Sequence, residues 1–242
     1  MLWIEGALAG LLSGLVAALF GIGGGAVAIP IMIFLLGIPP SYAVGTNSVI
    51  IIASTSLSAL FHMRQGTLRK EGIYLGIGGA IGSLIGNWLF FLAAKSGLME
   101  KVLAILFILV AIMMLLSPRG RKKEVPPKDK LFLSGLALGV FAGLAGMSGG
   151  IFINPLLVLL FDLDIKLAIG LSVAAIPITS LVSAIPKVMW GYVLWPVAIS
   201  FIPGIIIGSR IGAKLMKRWS SKVLRKLFSI LMILLGLKLW FK

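Results

Sequence analysis

The chain has 242 residues, of which 60% are hydrophobic and only 12% charged, and its mean hydropathy is +1.13. Soluble domains sit near half apolar with about a quarter charged, so this composition describes a polytopic membrane protein. The net charge of +15 comes from basic residues held in short segments between apolar runs, which fits membrane orientation and excludes a nucleic-acid recognition module; the absence of cysteine excludes disulfides, thiolate chemistry and cysteine-ligated metals.

The apolar runs are continuous over about 20 residues and lack the alternation of a barrel, so the spans are predicted to be α-helical. No basic region precedes the first run and no small-residue cleavage site follows it, so the N-terminus reads as mature sequence rather than a signal peptide. Residues 2 to 20 are apolar. Gly21-Ile22-Gly23-Gly24-Gly25 then interrupts a stretch from Gly6 to Met63 that contains no Lys, Arg, Asp or Glu. Each glycine costs about 1 kcal/mol relative to alanine inside a helix, so four in five positions predict a break in the backbone. The next apolar piece, Ala26 to Leu36, is about 16 Å long as a helix, half a bilayer, and ends at Gly37-Ile38-Pro39-Pro40. Ser41 is placed to cap a helix running to His62, followed by Arg64, Arg69 and Lys70. Further spans are expected over 72–94 and 102–116. A Pro- and Lys/Arg-rich linker, 117–130, divides the chain into a first repeat, 1–116, and a second, 131–242.

The second part repeats the first. Gly146-Met147-Ser148-Gly149-Gly150 with Pro155 echoes the first glycine cluster and Pro30, and aligning Gly10–Pro30 with Gly135–Pro155 without gaps gives nine identities in 21 positions. The same offset pairs Ala43 with Ala168, Gly45 with Gly170 and Gly66 with Gly191, and Gly82-Ser-Leu-Ile-Gly86 matches Gly208-Ser-Arg-Ile-Gly212. Duplicated broken helices are a mark of transporters. If each broken segment crosses the membrane once, Lys and Arg divide almost evenly between the two faces; if each goes in and returns, they concentrate on one face, as the positive-inside rule requires. Leu131 to Phe161 is 31 uncharged residues, too many for one span and too few for two. The expected architecture is therefore all-α, with two inverted repeats, each a glycine-broken hairpin turning near the midplane plus three transmembrane helices.

In that arrangement the helices beginning near Ala26 and Ile151 aim their N-termini at the protein interior. Helix N-termini and bare glycine backbone attract compact anions. Thr46, Asn47 and Ser48 lie about 9 Å into their helix, an unusual depth for three consecutive polar side chains. The Asn47 amide needs partners from outside its own helix. Their counterparts are Leu171, Ser172 and Val173; Asn154, one turn into the second short helix, and Ser148, in place of Gly23, make the site asymmetric. Gly10/Gly14, Gly82/Gly86, Gly135/Gly139 and Gly208/Gly212 are instead expected to serve close helix packing. Lys187 and Arg210 are expected to snorkel to the interface, and His62, beside Arg64, to sit in the solvated boundary; these four are accessory candidates. The seven carboxylates, Glu5, Glu71, Glu100, Glu124, Asp129, Asp162 and Asp164, fall in loops or at helix ends, which leaves no acidic proton relay at the midplane. A lone histidine rules against a histidine metal cluster. Gly21-Ile-Gly23-Gly-Gly-Ala26 matches the dinucleotide fingerprint only in letters, since no strand precedes it, and no Walker sequence is present, so no cofactor is expected.

On the glycine cluster followed by proline, the proline-bearing turn, Ala43-Val44-Gly45-Thr46-Asn47 and their degenerate second copy, the sequence resembles the TauE/SafE-type sulfite exporters, also called toluene sulfonate uptake permeases. The resemblance spans both halves. It implies movement of sulfite, organosulfonates or related sulfur-containing anions across the prokaryotic cytoplasmic membrane, and places Gly23, Gly24, Gly25, Thr46 and Asn47, with Ser148, Gly149, Gly150 and Asn154, near the substrate. Ser148 interrupts the second cluster and Leu171 stands where Thr46 would repeat. Other readings are an anion channel, an uptake permease for thiosulfate or sulfate, an intramembrane enzyme and a structural partner protein. The enzyme lacks a zinc-protease helix motif or buried acid pair, and the structural protein has no need of two broken helices. The expected partners are a small anion and the lipid bilayer.

Overall fold

The computed structural model of the chain describes residues 2–20, 25–64, 66–116, 122–147, 150–216 and 221–241. Among them the regular elements are ten helices: α1 (Leu2–Phe20), α2 (Gly25–Phe34), α3 (Pro40–Arg64), α4 (Gly72–Lys95) and α5 (Met99–Leu116), then α6 (Lys128–Ala145), α7 (Gly150–Phe161), α8 (Ile165–Met189), α9 (Trp195–Met216) and α10 (Ser221–Trp240). By length and composition α3, α4, α5 and α8 are each able to cross a membrane. The exposed face of α4 is a stripe of Ile73, Ile77, Ile81, Leu84, Ile85 and Trp88. An apolar exterior of this size suits lipid rather than water.

Helix packing follows the duplication. On α1, a Cβ at Gly10 or Gly14 would lie 2.3 or 2.4 Å from the carbonyl oxygen of Phe201 or Ile205 on α9. On α6, Gly135 and Gly139 meet the Leu75 and Gly79 carbonyls of α4 in the same way, at 2.1 and 2.2 Å. The reciprocal contacts also repeat: Gly82 sits on the Leu136 carbonyl and Gly208 on the Leu11 carbonyl. Each part thus lends its first helix to the other. These glycines let two backbones touch, as the small-residue spacing predicts. Gly212 lies among residues whose surroundings are not described.

Directions follow from the same contacts. Residue numbers rise together along α1 and α9, along α4 and α6, and along α4 and α8, where Gly72, Gly76 and Gly79 meet Leu171, Ala175 and Thr179. These pairs are parallel. In contrast α3 and α8 are antiparallel: Gly45 meets the Tyr192 carbonyl, Thr55 Oγ1 lies 3.4 Å from Ser180 Oγ, and Gly170 meets the Thr67 carbonyl. Thr55 and Ser180 stand 125 residues apart, at equivalent positions of the two halves.

Because α6 and α8 are both parallel to α4, α7 must bring the chain back between them. Two observations agree. Phe141 of α6 and Phe152 of α7 stack with ring centroids 5.5 Å apart, whereas eleven residues of continuous helix would separate them by about 16 Å. Lys122, before α6, exchanges backbone hydrogen bonds of 2.8 and 2.7 Å with Asp162 and Asp164, after α7. Both ends of the α6–α7 segment therefore lie on one face.

The 18-residue α6 is about 27 Å long. Its end, Gly146, meets Val44 and Ser48 of α3, with Ser48 about 10 Å along α3 from Thr55. Glycine-on-backbone contact with α4 holds α6 helical well past the crossing of α3 and α8, so the hairpin has one long arm and one short. The last helix-forming residues of the 117–130 segment open α6, which begins at Lys128.

Candidate functional site

Gly146 closes α6 in the left-handed conformation, φ 59°, with its N–H donating to the Ala142 carbonyl at 3.0 Å. Only glycine adopts this geometry without strain, and it is a common way to stop a helix. A Cβ there would also come within 2.4 Å of the Val44 carbonyl oxygen and 2.8 Å of Ser48 Oγ. Beyond the turn, α7 starts at Gly150 and contains Pro155. Proline withholds the N–H that would bond the carbonyl four residues back, leaving part of the first turn of α7 open to other partners.

Asn47, fully buried on α3, donates from Nδ2 to the Gly146 carbonyl at 2.7 Å. Its Oδ1 is buried with no hydrogen-bond partner among the described residues. The amide therefore pins the broken helix with one end and presents a bare acceptor with the other. Ser48 donates to the Val44 carbonyl of its own helix at 3.0 Å and also lines a small cavity with Ile51, Ala142, Gly146, Met147, Thr179, Ser180 and Ser183. The cavity has a volume of about 10 Å³, close to the least that holds one water. It lies between α3, the end of α6 and α8.

The other polar residues expected at the substrate divide. Thr46 does not face the cavity: its Oγ1 accepts the Leu194 N–H at 2.9 Å and fastens the α8–α9 connection. A hydroxyl at this depth was the nearest acceptor for an N–H that no helix satisfies. Ser172 is buried and donates to the Ile169 carbonyl of its own helix at 3.0 Å. Asn154, one turn into α7, carries a buried Oδ1 with no hydrogen-bond partner among the described residues. Gly25 and Gly150 are the first residues of α2 and α7. Gly23, Gly24, Ser148 and Gly149 lie outside the described residues.

Of the accessory candidates, Arg64 and Arg210 are exposed, at the end of α3 and on α9. His62 is half-buried, with Nδ1 2.9 Å from Thr67 Oγ1. Lys187 departs from expectation. Its side chain does not snorkel; it is fully buried, with Nζ against Asn87 Oδ1, 2.6 Å from the Gly143 carbonyl, and 3.2 and 3.3 Å from the carbonyl and Oγ of Ser183. The Phe90 ring lies beneath it, 5.0 Å from the centroid. Near the end of α8 the route outward is filled by α4 and α6, and the oxygens they offer are closer than solvent. His62 and Lys187 occupy equivalent positions in the repeat, so one basic site is open and the other enclosed.

Asn87, Ser183, Thr179 and Ser180 were not singled out from the sequence. The repeat offset was the available signal for Ser180, since it pairs this residue with Thr55. Asn87 was visible as an amide inside a transmembrane span, but nothing in the linear sequence joined it to Lys187. The carboxylates occupy loops and helix ends, with Glu5, Glu100 and Asp129 in the first turns of α1, α5 and α6 and Asp164 capping α8.

The arrangement is a broken helical hairpin, closed on α3 by a buried amide, beside a small polar cavity and an enclosed ammonium. The chain is 28% identical to the probable membrane transporter protein YunE of Bacillus subtilis, over 95% of this chain and 94% of that protein. It is 31% identical to a probable membrane transporter protein of Methanocaldococcus jannaschii, over 95% and 92%, and 28% identical to one of Haemophilus influenzae, over 97% of each. No solved structure matches the fold. The family described as sulfite exporter TauE/SafE matches residues 6–239, and with its multi-pass helical architecture and its likeness to membrane transporters the chain belongs to that family.

Proposed function

We propose that this protein is a secondary carrier that exports small sulfur-containing anions, sulfite or organosulfonates, across a prokaryotic inner membrane. The observation that carries this reading is the Asn47 bond to the Gly146 carbonyl, which makes a broken hairpin the wall of a small cavity that Ser48, Thr179, Ser180 and Ser183 also line. A helix that returns from within the protein aims N–H groups and the positive end of its dipole at the interior. Movement of the turn away from α3 would open the cavity, and its return would close it, as alternating access requires. A cavity holding one water fits a closed carrier better than a continuously conducting channel. The inside-negative potential, about 2.3 kcal/mol per charge per 100 mV, favours anion export.

The test is flux by purified protein in proteoliposomes, with sulfite, thiosulfate, sulfate and organosulfonates. Sulfite and sulfonates are expected to move at carrier rates, with stimulation by anion on the opposite side. Preferred thiosulfate or sulfate uptake would favour an uptake permease, and channel-like flux without that stimulation would favour the channel.

The repeats, 1–116 and 131–242, are read as inverted about an axis in the membrane plane, with the basic linker 117–130 cytoplasmic. Antiparallel packing of the equivalent helices α3 and α8 supports this, as does the clustering of Lys and Arg on one face. The expected result is that impermeant thiol labelling of single cysteines in intact cells marks positions beside Trp3 and Lys242 but not position 123. The native chain has no cysteine, so the background is clean. Labelling at 123 alone would reverse the topology.

A further inference from the structure

We infer that Lys187 is the cationic group against which the transported anion binds, and that it sets the protein's preference among anions of different charge. This rests on the carrier reading above. Every partner the structure gives the ammonium is neutral: the Asn87 amide oxygen, the Gly143 carbonyl, the Ser183 carbonyl and hydroxyl, and the face of Phe90. Three oxygen-bearing residues and an aromatic face hold the ammonium in place, and among the described residues no carboxylate pairs with it. An uncompensated charge inside a membrane protein is costly and is kept where a mobile charge will meet it.

The second observation is where this group points. Ser183 bonds Lys187 and also lines the cavity with Gly146, Met147 and Ser48. Gly143, whose carbonyl accepts from Lys187, belongs to the last turn of α6, and Asn47 holds the Gly146 carbonyl just beyond it. The ammonium, the turn and the cavity therefore share one wall. An anion entering as the turn moves would meet the ammonium across Ser183, in surroundings where charge is weakly screened. Part of the Lys187 charge also balances the negative end of the α6 dipole. A purely structural brace would do that much, so the test must read charge selectivity.

Lys187→Gln removes the charge but keeps an amide donor for the Gly143 carbonyl. In proteoliposomes, flux of labelled methanesulfonate is measured with competition by unlabelled methanesulfonate and by divalent sulfate. The half-saturating concentration for methanesulfonate is expected to rise at least about tenfold in the variant, with a greater loss for sulfate, while Lys187→Arg stays nearer the native protein. Lys187→Met combined with Asn87→Leu removes the charge together with its polar partner and preserves packing, so it reads the same quantity if the glutamine variant folds poorly. A folded charge-free variant with native half-saturation for both anions overturns the role of Lys187 and leaves the carrier standing. A native protein that moves none of these anions overturns both.

Discussion

Asn47→Leu is expected to abolish anion flux in proteoliposomes while the protein still inserts and remains monodisperse in detergent. Leucine keeps the branched shape of asparagine although it is bulkier, and the 2.7 Å bond to the Gly146 carbonyl disappears. A buried carbonyl left without its donor costs about 1–3 kcal/mol, and that cost falls on the turn where α6 stops. The variant also removes the buried Asn47 Oδ1, an acceptor with no partner among the described residues. Flux should fall to the level of empty vesicles. Ser13→Ala serves as the comparison, because Ser13 is also buried and donates to its own helix but is not among the residues lining the cavity, and it should keep most of the flux. Native flux from a folded Asn47→Leu protein would remove this amide from the transport site.

Gly146→Val carries the second large effect. A β-branched residue in the left-handed region costs about 1–2 kcal/mol in backbone strain alone. Its Cβ would also stand 2.4 Å from the Val44 carbonyl oxygen and 2.6 Å from Val44 Cγ1, and overpacking of this kind costs about another 1–3 kcal/mol. The turn cannot both keep its geometry and admit the side chain, so the thermal unfolding midpoint should fall and flux should be lost. Gly37→Ala separates strain from crowding, because Gly37 is also left-handed, φ 64°, yet has open space around it. That variant should transport. Equal damage from both would place the effect in backbone strain rather than in the wall of the cavity. The matching probe in the first part of the chain, Gly24→Val, lies outside the described residues.

The helix stop at Gly146 and the packing glycines were legible because each leaves a periodic or compositional mark. Gly10, Gly14, Gly135 and Gly139 recur at one-turn spacing, and helix geometry alone puts such residues on one face. Which helix that face meets was not legible. Nothing in the order of the chain says that α1 pairs with α9 while α6 pairs with α4, since the exchange depends on how the two parts interlock. Glycine density marked where α6 stops, at Gly146, and contact with α4 keeps the helix intact up to that point.

The site divides along the same line. By itself the sequence determined that this is a multi-pass helical membrane protein, with two glycine clusters each followed by a proline and a polar run at Thr46-Asn47-Ser48. Those properties follow from local composition, because a bilayer demands apolar runs and glycine disrupts helices wherever it clusters. Only the tertiary structure decided that Asn47 holds Gly146, that Thr46 serves the α8–α9 connection and that Lys187 is enclosed rather than snorkelling. Hydrogen-bond partners about a hundred residues apart are chosen by which oxygens and N–H groups remain unsatisfied once the helices have packed, and a single helix carries no record of that choice.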